Sequence, residues 1–164
     1  MALRFERRAR KIWLFAHLGT SAAWLGVSMG MTALSVVGAV GEPVLASAAY
    51  QIMHVFDLAL VIPTVLSSIV SGCVLSLGTQ WGLTQHWWIV AKLAMATSIL
   101  VTAAVWENFL VRGLASRAQE LHGTEPIQLA ACMAVFLVLL WAATWLSVFK
   151  PRGRTPWSTM PRSQ

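Results

Sequence analysis

Charge is scarce in this chain. Asp, Glu, Lys and Arg together make up 11% of the residues, less than half the ~25% of an ordinary soluble domain. Cysteine is scarcer still: Cys73 and Cys132 each stand alone within an apolar run, and no C-x-x-C pair exists. That excludes a thioredoxin-like couple, a zinc knuckle and the C-x-x-C-H attachment of haem c. Small apolar packing is the role left to both thiols. Gly-x-Gly-x-x-Gly and Walker patterns are missing, as are the motifs of metalloproteases, glycosidases and hydrolases, so no enzyme class is indicated.

What fills the chain instead is apolar sequence, 57% of the residues. It falls into four runs at about 12–37, 50–77, 86–110 and 127–149. Each is near or beyond the ~20 residues that cross a hydrocarbon core ~30 Å thick. The fourth, IQLAACMAVFLVLLWAATWLSVF, carries no charge. A helix of that length lying on a soluble protein would need a polar face. The expected fold is therefore all-α: a four-helix transmembrane bundle, one integral membrane domain over residues 1–164. MALRFERRARK followed by an apolar run resembles the start of a signal peptide. The run from Ile12 to about Val37 far exceeds a 7–15-residue signal core, and it reads as an uncleaved first span.

The net charge of +6 does not indicate nucleic acid, because the basic residues cluster at span ends, where anionic lipid headgroups attract them. Arg4, Arg7, Arg8, Arg10, Lys11, Lys150, Arg152, Arg154 and Arg162 fall on one side of a four-span chain, and Arg112 and Arg117 on the other. That asymmetry places both termini in the cytoplasm. Trp13, Trp81, Trp87, Trp88, Trp145 and Trp157 would mark the inner boundary, and Tyr50 and Trp106 the outer one. Trp24 and Trp141 lie deeper and should pack between helices. The bilayer is the one partner implied directly; a second copy or a partner subunit is compatible with it. Arg outnumbers Lys and Ala is abundant, the composition of a GC-rich bacterial genome. The expected location is then the bacterial inner membrane.

The connections and packing faces are partly legible. Residues 38–49, GAVGEPVLASAA, read as the first outer connection, with glycine ending one helix and Pro43 able to start the next. The link 78–85 is short and uncharged, so spans 2 and 3 are antiparallel neighbours. Span 3 should continue along Phe109, Leu110, Leu114, Ala118 and Leu121, and Thr124-Glu125-Pro126 reads as the start of span 4. Pro63, in mid-span 2, leaves the carbonyl of Ala59 without its helical partner and should kink the helix. Two ridges of small residues, Ala22–Gly26–Gly30 and Ser68–Gly72–Ser76, suit close internal helix packing.

Polar residues inside the spans are the candidates for chemistry, because ionisable groups there are costly. His17, Ser21, Trp24, Ser28, Thr32 and Ser35 form one face of span 1, which must point inward since lipid offers no partner. His17, His86 and Lys92 lie toward the cytoplasmic side. His54, Asp57, Glu107 and Arg112 lie toward the outer side, with His122 beyond. A cation or shared proton could sit between Asp57 and Glu107, with Arg112 neutralising one of them and His54 bonded to Asp57. A four-helix bundle can also hold haem b between histidines of facing helices. The candidate axial pairs are His17 with His86 and His54 with His122, and haem iron is the one metal considered. His17 lies ~8 Å further inside the span than His86, which weighs against the first pair.

HLGTSAAWLG (17–26), HVFDLALVIP (54–63) and LSLGTQWGLTQHWWIVAKLAMA (75–96) resemble small four-span integral membrane proteins of actinobacteria, over most of the chain. The resemblance implies the fold and no particular substrate. Three readings follow. Haem b binding in a membrane redox protein is the most specific. A non-enzymatic accessory or structural subunit is the second. A small ion- or proton-coupled transporter using Asp57 and Glu107 is the third, although no internal repeat is visible.

Overall fold

The computed structural model describes residues 5–79, 82–117, 124–151, 153–156 and 158. They form six α-helices, α1 (Arg7–Val40), α2 (Pro43–Phe56), α3 (Ile62–Leu77), α4 (Trp87–Thr102), α5 (Asn108–Arg117) and α6 (Glu125–Phe149). A π-helical turn, Asp57–Val61, welds α2 to α3, and another, Ala103–Glu107, welds α4 to α5. The result is four rods, each long and apolar enough to cross a membrane. Four alternating rods bring both termini to one end of the bundle, here called the termini end. The opposite end is the far end.

Each rod touches its neighbours in the chain, and the fourth closes on the first. α1 packs on α2, α3 and α6; α4 packs on α6; α5 packs on α2 and α6; α3 and α4 touch only lightly. Trp24, Met31, Tyr50, Met53, Leu129 and Met133 form the middle of the core. The outer surface carries Phe15, Val44, Val105, Phe109 and Val138, all well exposed, as hydrocarbon solvent permits.

The first connection is shorter than the sequence suggests. α1 runs to Val40 and α2 begins at Pro43, so residues 41–42 alone make the turn. Gly38 does not stop the helix. Gly41 does: it is extended, and its N–H reaches back to Val37 O at 2.8 Å. Pro43 then opens α2, where its missing N–H costs no helical bond. α5 continues span 3 to Arg117, and α6 starts at Glu125, directly after Thr124, as expected. Ala118 and Leu121 of the expected extension lie outside the described residues.

The two small-residue ridges part company. Gly72 packs directly on His17, and Ser68 bonds to Ser21. Ala22 and Gly26, in contrast, are exposed, and a Cβ at Gly26 or Gly30 would meet nothing within 4 Å. That ridge of α1 is not an internal contact; the inward side of α1 holds Trp24 and Met31 instead. Trp141 is exposed and Trp24 is buried, so one of the two deep tryptophans packs between helices. Trp81 and Trp157 lie outside the described residues.

Both terminal segments strap the link between α3 and α4. Phe5 N–H donates to Gly78 O at 3.1 Å, and the Phe5 ring lies where a Gly78 Cβ would be. His86 and Arg154 form an antiparallel bridge. Thr155 N–H donates to Gln85 O at 3.1 Å, and its hydroxyl donates to Thr84 O at 2.6 Å.

Candidate functional site

The two π-turns decide which side chains face inward. Two turns of α-helix take about seven residues, so buried positions recur at that spacing. In span 2 the buried residues step through Ala46, Tyr50, Met53 and Asp57, then resume at Val65 and Ser68. The step from Asp57 to Val65 is eight residues, one more than a regular helix needs. In span 3 the step from buried Ile99 to buried Glu107 is again eight, followed by Leu110, Val111 and Leu114. Each π-turn absorbs one extra residue and keeps a single inward face.

The cause is visible in span 2. Pro63 has no N–H to offer the carbonyl of Ala59. The chain widens, and Ile62 N–H donates to Asp57 O across five residues. Thr64 Oγ1 donates to Leu60 O at 2.6 Å and to Val61 O at 3.0 Å, covering carbonyls the widening loosens. Span 3 has neither proline nor glycine at its π-turn.

Each π-turn carries a carboxyl group. Asp57 opens the first and Glu107 closes the second. Both lie twenty residues from the termini end of their rods, so both sit about 30 Å along them, at one depth. They are 4% and 2% exposed, respectively. They lie within electrostatic reach of each other, and Asp57 also within reach of His54 and Arg112. Glu107 Oε1, His54 Nδ1 and Tyr50 Oη are buried without a hydrogen-bond partner, which is rare for buried polar atoms. Tyr50, His54 and Asp57 follow one another at four- and three-residue spacing, one face of span 2.

Tyr50 is held by a glycine. It is 0% exposed, and a Cβ at Gly38 would fall 2.5 Å from its Cζ. The ring packs against α1, because Gly38 leaves room there. Gly38 and Tyr50 belong to this cluster although neither is an ionisable group of the kind that marks the other members. The i, i+4, i+7 spacing of Tyr50, His54 and Asp57 was the available signal.

A second polar layer lies toward the termini end. His17 Nδ1 lies 3.1 Å from Ser68 O and 3.2 Å from Ser71 Oγ. A carbonyl only accepts, so Nδ1 carries the proton of that bond and Nε2 holds the lone pair of the neutral ring. Ser21 and Ser68 hydroxyls are 2.7 Å apart. Further along the same face, Thr32 Oγ1 donates to Met133 O at 3.3 Å and Ser35 is fully buried. The polar face of α1 thus divides between α3 and α6. Lys92 Nζ donates to Ser147 Oγ in the last turn of α6, and lies 5.8 Å from the Trp88 ring centre. Cations are favoured at a helix C-terminus. Lys92 is also within electrostatic reach of His17.

The candidates therefore sort as follows. His54, Asp57, Glu107 and Arg112 do gather toward the far end, with Arg112 exposed. His17 and Lys92 gather toward the termini end. His86 caps the start of α4 in an extended conformation, 6.4 Å from the Trp88 ring. His17, packed on Gly72, lies five residues inside the end of α3, so the two histidines keep the depth difference expected of them. His122 lies outside the described residues. Among the described residues, no group of three or more His, Cys, Asp or Glu could hold a metal ion. No protein-family model matches the chain, and no curated protein or solved structure is significantly similar to it.

Proposed function

We propose that this chain is a small multi-pass protein of a bacterial plasma membrane, both termini cytoplasmic, whose Asp57–Glu107 pair binds and releases a proton in ion- or proton-coupled work. The observation that carries the reading is Glu107: 2% exposed, one oxygen without a partner, beside a second buried carboxyl group. Two negative charges taken together out of water repel strongly, so such a pair holds a proton between its members. Ionisable groups inside a span mark proton and ion pathways. The two π-turns, which bring both carboxyl groups to the same depth, support it further.

A hydrophobic carbodiimide tests this, because it labels protonated carboxyl groups that are buried in lipid. Mass spectrometry of the treated full chain is expected to find the label on Glu107 or Asp57. Vesicles holding the protein are expected to acidify under an imposed potential, and Glu107→Gln and Asp57→Asn to abolish the acidification. Absence of both label and acidification in the wild type overturns the reading.

A second reading, haem b on His17, has one observation in its favour. Metal-ligating histidines almost always donate their other ring N–H to a carbonyl or carboxylate, and His17 donates to Ser68 O. Protein purified from haem-replete cells would then show sharp visible bands on reduction, lost in His17→Ala. A featureless spectrum removes this reading.

A further inference from the structure

Lys92 is a cation inside a span with no anion beside it. Its Nζ donates to Ser147 Oγ and lies 5.8 Å from the centre of the Trp88 ring, and no carboxylate of the described residues pairs with it. Glu42, Asp57, Glu107 and Glu125 all stand toward the far end. Lys150, three residues beyond Ser147, adds a second positive charge. An apolar groove of about 420 Å³ opens to the outside deeper along the same two helices, α4 and α6, within the ~300–1,000 Å³ of small-molecule sites. Its walls include Ile99 and Thr102 of α4 and Val135, Phe136 and Leu139 of α6. We propose that this seam binds one anionic phospholipid from the leaflet at the termini end, its phosphodiester on Lys92 and one acyl chain along the groove. The inference does not involve the Asp57–Glu107 pair.

Three observations point to this occupant. Ammonium and groove share one line. Lys92, Met95, Ile99 and Thr102 follow at steps of three, four and three, one face of α4, and Phe136, Ala143 and Ser147 follow at steps of seven and four on α6. Ile99 lies seven residues from Lys92, and Leu139 eight from Ser147, so both walls lie about 10–12 Å deeper than the Lys92–Ser147 contact. Next, the ammonium sits at headgroup depth. Lys92 is five residues beyond the start of α4, yet its tip reaches Ser147, two residues before the end of α6, as a long cationic side chain does when it reaches for the boundary. Last, the chemistry is complementary at both ends. An ammonium has three N–H donors. Ser147 takes one, which leaves two for phosphodiester oxygens, and an ionised group in a span is costly until such a partner arrives. A zwitterionic headgroup carries its own ammonium, whereas one of net negative charge supplies the counter-ion that Lys92 lacks. The uncharged walls of the groove favour an acyl chain and offer a free, hydrated phosphate nothing.

The test is native mass spectrometry of the full chain released from detergent micelles, with phosphatidylglycerol and phosphatidylcholine of identical acyl chains as probes. The wild type is expected to keep one phosphatidylglycerol through delipidation and to prefer it over phosphatidylcholine by about fivefold or more. Lys92→Gln should lose the preference, and Lys92→Arg should retain it. Arg10→Gln, which removes one exposed charge at the same end, should leave the preference intact. Val135→Trp, which narrows the groove from its exposed wall, should weaken retention of phosphatidylglycerol in a protein that stays monodisperse. Equal retention of the two lipids, an unchanged preference in Lys92→Gln, or the same loss in Arg10→Gln overturns the inference. So does unchanged retention in Val135→Trp, or displacement of the lipid by glycerol phosphate, which would make the site one for a free phosphate ester.

Discussion

Two glycines of one helix are opposite cases at the scale of single residues. At Gly38 a Cβ would lie 2.5 Å from the Tyr50 ring, whereas at Gly26 it would meet nothing within 4 Å. Gly38→Ala therefore forces a fully buried ring out of place and should cost about 1–3 kcal/mol, the usual range for overpacking. Gly26→Ala should stay within about 0.5 kcal/mol of wild type. Reversible unfolding in mixed detergent micelles measures both. Equal effects would mean that Tyr50 does not rest on Gly38. Gly72 is an intermediate case: a Cβ there would lie 2.9 Å from His17 Cε1, so Gly72→Ala should displace the imidazole from Ser68 O and destabilise the α1–α3 contact. Chemical-shift or solvent-exchange measurement at the His17 ring reads that displacement. Glu107→Gln should leave stability close to wild type, because it exchanges a buried carboxyl group, protonated in the proposed reading, for a neutral amide of the same shape.

The π-turns are the deciding feature at the scale of elements. The eight-residue step from Ile99 to Glu107 means that one residue is surplus to a regular helix. Deleting Ala104 should then leave a regular α-helix with Glu107 still in phase with Ile99, and a bundle of undiminished stability. Deleting Ala94, exposed and in the regular part of the same span, should rotate one half of the span against the other by about 100° and lower the melting temperature sharply. Circular dichroism melts of the two deletion variants give the answer; similar melts would refute the register argument. The sequence signalled one of the two turns. Pro63 marked the second span, and the irregularity stands just before it. Nothing local marked the third span, whose π-turn, Ala103–Glu107, contains neither proline nor glycine.

At the scale of the whole molecule, four crossings put both termini at one end, and the terminal segments lock there. Phe5 packs on Gly78, and Thr155 bonds to residues 84 and 85. Thr155→Val should cost about 1 kcal/mol, the worth of one hydrogen bond, and should appear as faster hydrogen exchange at residues 153–156. No change in exchange would mean that the strap is not held by that hydroxyl. For orientation, single cysteines replacing Leu45 and Leu83 in a chain without Cys73 and Cys132 should react with membrane-impermeant reagents from opposite sides, Leu45 from outside. The reverse labelling would overturn the cytoplasmic placement of the termini.

What the sequence by itself determined is the count of crossings, the antiparallel order and the set of costly polar groups. Each of these is a property of a contiguous stretch: twenty apolar residues cross a bilayer whatever lies beside them. The tertiary structure decided which of those groups meet. Asp57 and Glu107 stand fifty residues apart in the chain, each in the π-turn of its own span, and lie within electrostatic reach of each other. His17 could have faced His86 or Ser68; the rotation of α1 against α3 chose Ser68. Tyr50 is fully buried within the bundle, because Gly38 of another helix opens a space for it. Helix rotation and register are relations between elements, and a shift of one residue turns a side chain by about 100°, from lipid toward the interior.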